Sequence, residues 1–270
     1  MVKIKIISEN KLRYLAGEKG FNLIYLEKDY FLTLLLYFLS SVDGIYFKGG
    51  TALNKIFLNH TRLSEDLDFS YRGDISHIRE QILKVFENNK NIFPRYVFDN
   101  NASDFFRLKI FYRSFFSKTD HLTLDVNRKA SVFLQPQKQK IPHFYESIPQ
   151  FEIVAINLEE LIAEKIRALV TRNQPRDYFD AYMILENGYK IDLKLVRKKL
   201  ADVKQKFEVK RIFKNAQKIC SKWDTEISQL TNKPVEFVTV IKRLQKEFRY
   251  NQRALRQVNA CVSKISARKL

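Results

Sequence analysis

Apolar and polar positions follow two different periods along the first half of the chain. Over residues 24–42, Leu32, Leu35, Leu36 and Leu39 recur at helical spacing, and Asp43-Gly44 ends the run. A short β-type run, 45–48, then stops at Gly49-Gly50, and 51–59 again has helical character. Residues 67–71 read as a strand. Residues 75–88 read as a helix through Ile78, Ile82, Val85 and Phe86, and three further β-type runs follow at 95–98, 105–112 and 121–126. Helices interleaved with short alternating runs predict a mixed domain built on a mostly antiparallel sheet.

The pattern changes around Pro149. Asn157 with Glu160 three residues on resembles a capping box ahead of a helix over 158–170. Pro175 suits the first turn of a second helix, which Gly188 can close. From Leu193 onward the chain is helical and basic, with breaks expected near Lys222-Trp223 and at 232–234. No internal repeat is visible. The expected boundary lies within 142–156, giving a domain at 1–150 and a helical domain at 151–270.

At 270 residues the chain can bury roughly 70–75% of its unfolded surface and needs no covalent staple. No apolar stretch reaches the length of a membrane span, and the longest, 31–39, reads as a buried helix. The start of the chain lacks the apolar core and small-residue cleavage site of a signal peptide. The two cysteines, Cys220 and Cys261, are too far apart for a zinc cluster and read as buried small apolar residues, so a reducing cytoplasm is the simpler setting. His60, His77, His121 and His143 show no metal-binding spacing. Charge is the outlying quantity: the net is +18, and residues 190–270 hold 22 Lys and Arg against 7 Asp and Glu, a net of +15. A basic third on a nearly neutral body points to a polyanionic partner, although a solvated basic surface accounts for the same number.

The candidate chemistry lies in Lys48-Gly-Gly-Thr51 and Ser64-Glu-Asp-Leu-Asp-Phe69. On a strand, Asp66 and Asp68 project to one face, roughly 6–7 Å apart along the backbone. Two such carboxylates repel unless a cation lies between them, and Mg²⁺ accepts carboxylate oxygens together with substrate phosphates. The competing reading is an exposed turn with two solvated acids. Gly49-Gly50 before a helix lets a phosphate approach the backbone, with Thr51 as a further donor, although most such pairs are simply tight turns. Asp125, alternating with Leu122, Leu124 and Val126, offers a third carboxylate for a two-metal site, or is a plain strand-end acid.

These motifs, with Glu27-Lys-Asp-Tyr30, the 159–169 helix and Arg176-Asp-Tyr-Phe-Asp180, resemble in order those of the abortive-infection nucleotidyltransferase toxins (AbiEii/AbiGii type) of the DNA polymerase β superfamily. The match spans about residues 25–188. The resemblance implies an α+β nucleotidyltransferase fold followed by a helical domain that completes the active site. It also implies Asp66, Asp68 and Asp125 as metal ligands, with Lys48, Gly49, Gly50, Thr51 and Ser64 at the nucleotide. Lys165 matches an essential lysine and Asp177 the acid of the Arg-Asp motif, although Asp180 shares its helix face.

Lys165 also stands out by itself, since its helical neighbours are apolar and no acid on its own helix can pair with it. Its long stem can carry the ammonium across apolar surface to triphosphate charge, or simply snorkel to solvent. The activity implied is Mg²⁺-dependent transfer of a nucleoside monophosphate from an NTP to RNA, with the tRNA 3′ end as the expected acceptor. A growth-inhibiting toxin of this kind would be cytoplasmic and neutralised by a separately encoded antitoxin. Two alternatives stay open: transfer to a protein or small molecule, and a non-catalytic basic RNA-binding protein.

Overall fold

The computed structural model describes residues 4–117, 119–128 and 131–250. Cys261, and the part of the basic segment beyond residue 250, lie outside the described residues. The chain divides into two units, 1–158 and 159–270.

The first unit is built on a seven-stranded mixed sheet in the order β3-β4-β5-β2-β1-β7-β6. Its strands are β1 (Ile45–Lys48), β2 (Asp66–Tyr71), β3 (Arg95–Asn101), β4 (Phe105–Tyr112), β5 (Asp120–Asn127), β6 (Gln137–Lys140) and β7 (Glu152–Ala155). Four of the six pairings are antiparallel, and β1 with β7 and β2 with β5 are parallel. The helices are α1 (Glu9–Lys19), α2 (Leu23–Leu39), α3 (Gly49–Ala52) and α4 (Ile75–Asn88).

Strand alternation decides which face meets the helices. Phe47, Leu67, Phe69, Leu108, Leu122, Leu124 and Val126 are all buried on one face. Helix α2, buried along most of its length, lies against β2 and β5 and touches α4. The opposite face carries the polar alternates, Lys48, Asp66, Asp68, Arg107 and Asp125.

Side chains set the helix ends. Ser8, Asn22 and Asp74 each accept a hydrogen bond from the first turn of α1, α2 and α4 respectively. Helix α3 continues as a π-helical turn over Leu53–Phe57, where Leu58 N–H reaches the Leu53 carbonyl at 3.1 Å, rather than as the regular helix expected for 51–59. Below it, Lys55 is buried on the Asp29 carboxylate at 2.8 and 2.9 Å, and the Tyr145 hydroxyl donates to the same group at 2.9 Å. Glu27 accepts from the Ser114 hydroxyl and the Phe115 N–H at 2.6 and 2.5 Å. The acids of Glu27-Lys-Asp-Tyr30 therefore fasten α2 inside the unit.

Helix α1 and strands β6 and β7 have no counterpart in the sequence reading. The β6 sequence, Gln-Lys-Gln-Lys, is polar throughout, as suits an exposed edge strand. Strand β7 lies beyond the expected boundary at residue 150, yet it is part of the sheet through Phe47 opposite Ala155. This is why the first unit runs to Leu158.

The second unit is helical: α5 (Leu158–Thr171, shared at its first residue), α6 (Pro175–Glu186), α7 (Leu193–Asp202), α8 (Val209–Phe213), α9 (Ala216–Ile227) and α10 (Phe237–Glu247). Pro175 opens α6, and Gly188 follows it at φ +77°, with its N–H on the Leu185 carbonyl. The break expected at Lys222-Trp223 is absent, because α9 runs through it. Trp223 is a core residue, its ring centroid 4.9 Å from that of Phe237 and its indole N–H on the Val235 carbonyl at 2.8 Å. The break at 232–234 does separate α9 from α10. Buried in this unit, Lys199 meets Glu160 at 2.5 Å and Glu164 at 2.9 Å.

Candidate active site

Asp66 and Asp68 stand on the same face of β2, as strand alternation requires. Register then aligns four charges across four strands: Lys48 of β1 opposite Asp68, Asp68 beside Asp125 of β5, and Asp125 opposite Arg107 of β4. Two acids are thus bracketed by two cations along one rung of the sheet. Asp66, opposite Thr123, lies one step toward the bend that follows β1.

That bend is Gly49, in the left-handed region at φ +78°. A Cβ at Gly49 would lie 2.2 Å from Oδ2 of Asp68, so glycine is required by the backbone and by the carboxylate together. The Thr51 hydroxyl donates to the Asp66 backbone carbonyl at 2.5 Å, tying the helix start to the acidic strand. Its proton is therefore engaged within the chain. Gly50 is half-buried beside it, and its carbonyl accepts from the Asn54 amide at 3.0 Å. Ser64 is buried, with its hydroxyl accepting from Arg62 at 3.1 Å. Lys48, also buried, donates to Oδ1 of Asn127 at 3.1 Å.

Asp125 is held by a guanidinium. Both of its oxygens accept from Arg107, at 2.7 and 2.6 Å. That hydrogen-bonded pairing, with further charge from Asp99 and Asp66, holds the Arg107 guanidinium well above its ordinary range. Among the described residues no three carboxylate, histidine or cysteine side chains form a ready metal cage. The donor set on β2 nevertheless fits Mg²⁺, which is held by one or two carboxylates and completes its shell with water and substrate phosphate. Neither Arg107 nor Asn127 was legible as a site neighbour, since only register brings them to the acids.

In the second unit, Lys165 is buried. It does have acidic partners, on the following helix: Asp180 at 2.8 Å and Asp177 at 3.3 Å. Asp177 also accepts from Arg172 through both oxygens, at 2.8 and 2.7 Å, and from the Gln174 N–H at 3.4 Å. Burial pushes the Asp177 carboxyl up, but Lys165 and Arg172 outweigh it and hold the group below the usual carboxylate range. The two acids that the sequence left hard to tell apart grip the same ammonium.

Strand-to-helix glycine bend, paired acids on the next strand and sheet order together define a nucleotidyltransferase fold. Solved structures agree. MenT4, nucleotidyltransferase toxin Rv2826c from Mycobacterium tuberculosis H37Rv, matches with a TM-score of 0.67 at 22% identity, over 95% of this chain and 94% of that one. JHP933 from Helicobacter pylori matches with a TM-score of 0.57 at 17% identity, over 93% of this chain and 100% of that one. At these identities the likeness is one of fold. No curated protein matches the sequence. A family model described as nucleotidyl transferase AbiEii toxin, type IV TA system, covers residues 34–256. The chain belongs to that family and is a nucleotidyltransferase toxin of a type IV toxin–antitoxin system.

Proposed function

We propose that the protein transfers a nucleoside monophosphate from an NTP to an RNA acceptor, with the tRNA 3′ end as the expected target, and that it acts in the cytoplasm, where a separately encoded antitoxin restrains it. The observation that carries this reading is the pairing of Asp66 and Asp68 on one sheet face, pressed against the Gly49 bend.

Asp66 and Asp68 would hold Mg²⁺, with Asp125 beside them, and the ion supplies charge neutralisation and alignment of the phosphates when bound. The Gly49-Gly50 backbone leaves room for phosphate oxygens. Lys48 brings positive charge to the same rung, and Ser64 lies just ahead of the acidic strand. For Lys165 and Asp177 we propose a part in the same reaction: Lys165 supplies charge to the triphosphate, and the two acids fix where its ammonium stands. RNA as acceptor is supported by the +15 net charge of residues 190–270 and by a cavity of about 690 Å³ in the second unit, lined in part by Lys210, Arg211 and Lys214.

The test is incubation of the purified protein with each α-labelled NTP, Mg²⁺ and total RNA. Label on RNA, lost in Asp66→Asn, is the expected result. Label on protein or a small molecule would replace RNA as the acceptor, and no label with any NTP would overturn the catalytic assignment.

A further inference from the structure

The polar face of the sheet continues past the carboxylates. Ser70 follows Asp66 and Asp68 at the same two-residue spacing and lies opposite Tyr46 of β1. It is 2% exposed, yet its hydroxyl has no hydrogen-bond partner among the described residues. An unpaired buried hydroxyl costs roughly 1–3 kcal/mol, so a partner beyond the described residues is expected there.

Ser70 lines a cavity of about 510 Å³ together with Tyr46, Arg72, Arg128 and the segment 131–136. That volume lies within the ordinary range of ligand pockets. The segment belongs to the connection from β5 to β6, which passes three strands of the sheet. Among the described residues neither arginine forms an ion pair. Arg128 lies over the Tyr71 ring at 5.7 Å, and the nearby Asp74 carboxylate caps α4 through the Ser76 N–H. Two arginines lining one cavity, Arg128 also within hydrogen-bonding reach of Tyr71, beside a hydroxyl with an unused donor, match the oxygens of a phosphate group.

Position on the face selects the kind of phosphate. Ser70 is four residues along β2 from Asp66, roughly 13 Å at the usual strand rise. A triphosphate at the Gly49 bend occupies the other end of the strand. Phosphate-binding groups spread this far along one face suit a chain with repeating phosphates. We propose that this cavity binds a phosphodiester of the RNA acceptor, with Arg72 and Arg128 on its oxygens and Ser70 donating to it. The assignment rests on RNA being the acceptor.

The test is fluorescence anisotropy of a labelled single-stranded RNA on the full chain, without NTP or Mg²⁺. It is followed by the KM for RNA in the transfer assay. Arg72→Ala/Arg128→Ala is compared with the wild type and with Arg13→Ala, a charge-loss control on α1. The double variant is expected to bind RNA at least ~10-fold more weakly and to flatten the salt slope by about 0.7, from one single-strand phosphate contact. Ser70→Ala should lose affinity without changing that slope. If the alanine pair does not fold, Arg72→Gln/Arg128→Gln keeps the stems and reads the same quantity. RNA affinity and KM equal to those of the control overturn the proposal alone. Label on a protein or small molecule instead of RNA overturns the acceptor reading and this proposal with it.

Discussion

Gly49 and Asp68 occupy space that a side chain on the first would take from the second. A Cβ at Gly49 would stand 2.2 Å from the Asp68 carboxylate, in a backbone already at φ +78°. The bend and the acid are thus one feature, although nineteen positions separate them in the chain. Gly49→Ala is expected to cost roughly 1–2 kcal/mol from backbone strain alone. It should also displace Asp68 and lower NMP transfer at least ~10-fold. Full transfer activity in a folded Gly49→Ala protein would show that Asp68 has no part in the reaction.

Asp66→Asn and Asp68→Asn keep side-chain size and remove charge. Each is expected to reduce labelled-NTP transfer by ~100-fold or more, the scale on which a site loses a group that organises charge at the reacting centre. Circular dichroism should remain that of the wild type. A rate within a few-fold of wild type for either variant would refute its role as a metal ligand.

Lys165→Met leaves Asp177 and Asp180 facing each other without their shared cation. Both acids are fully buried, so the unfolding free energy should fall by about 3–5 kcal/mol in urea titration. Adding Asp180→Asn to that variant should recover part of the loss, since one buried charge is gone. An additive double variant would mean that the ion pair contributes nothing to stability.

The Asp177 carboxyl is held below its ordinary value of 3.8, so its charge stabilises the fold above that pH. The contribution is lost as pH falls through the lower value in the folded protein. Stability measured below pH 4 should therefore decline in the wild type and decline less steeply in Asp177→Asn. Parallel acid limbs for the two proteins would remove this residue from the account.

His60 titrates in a different window. Burial first, and then the charge of Lys55, bring its imidazole from 6.5 down to about 4. The ring stays neutral, with Nε2 at 3.0 Å from the Pro142 carbonyl. The unfolded chain binds the proton more readily, so stability is full above pH 6.5 and falls toward pH 4, by roughly 3 kcal/mol in total. A stability profile that is flat over that interval, or one unchanged by His60→Gln, would contradict it.

Much of the fold was written locally. The helix over 75–88 and the strand over 105–112 emerge with the bounds that their apolar spacing predicts, because each sequence satisfies one period and fails the other. The pairing of Asp66 with Asp68 and the glycine bend were readable for the same reason, since strand alternation and backbone freedom are properties of neighbouring residues. The polar edge strand β6 was not, because its ladder hydrogen bonds come from β7 and not from its own side chains. Trp223 misled the reading of α9, because its place is set by Phe237 and the Val235 carbonyl.

By itself, the sequence determined the types of most elements, though not of α1, β6 and β7, and the paired acids, the glycine bend and the concentration of positive charge beyond residue 190. Tertiary structure decided which groups meet: Arg107 on Asp125, Lys165 between Asp177 and Asp180, and Ser70, its hydroxyl without a partner among the described residues, in one cavity with two arginines. Periodicity specifies a residue's face within its own element. Strand register and helix packing alone specify what lies across from that face, and electrostatic partnership depends on that opposite side.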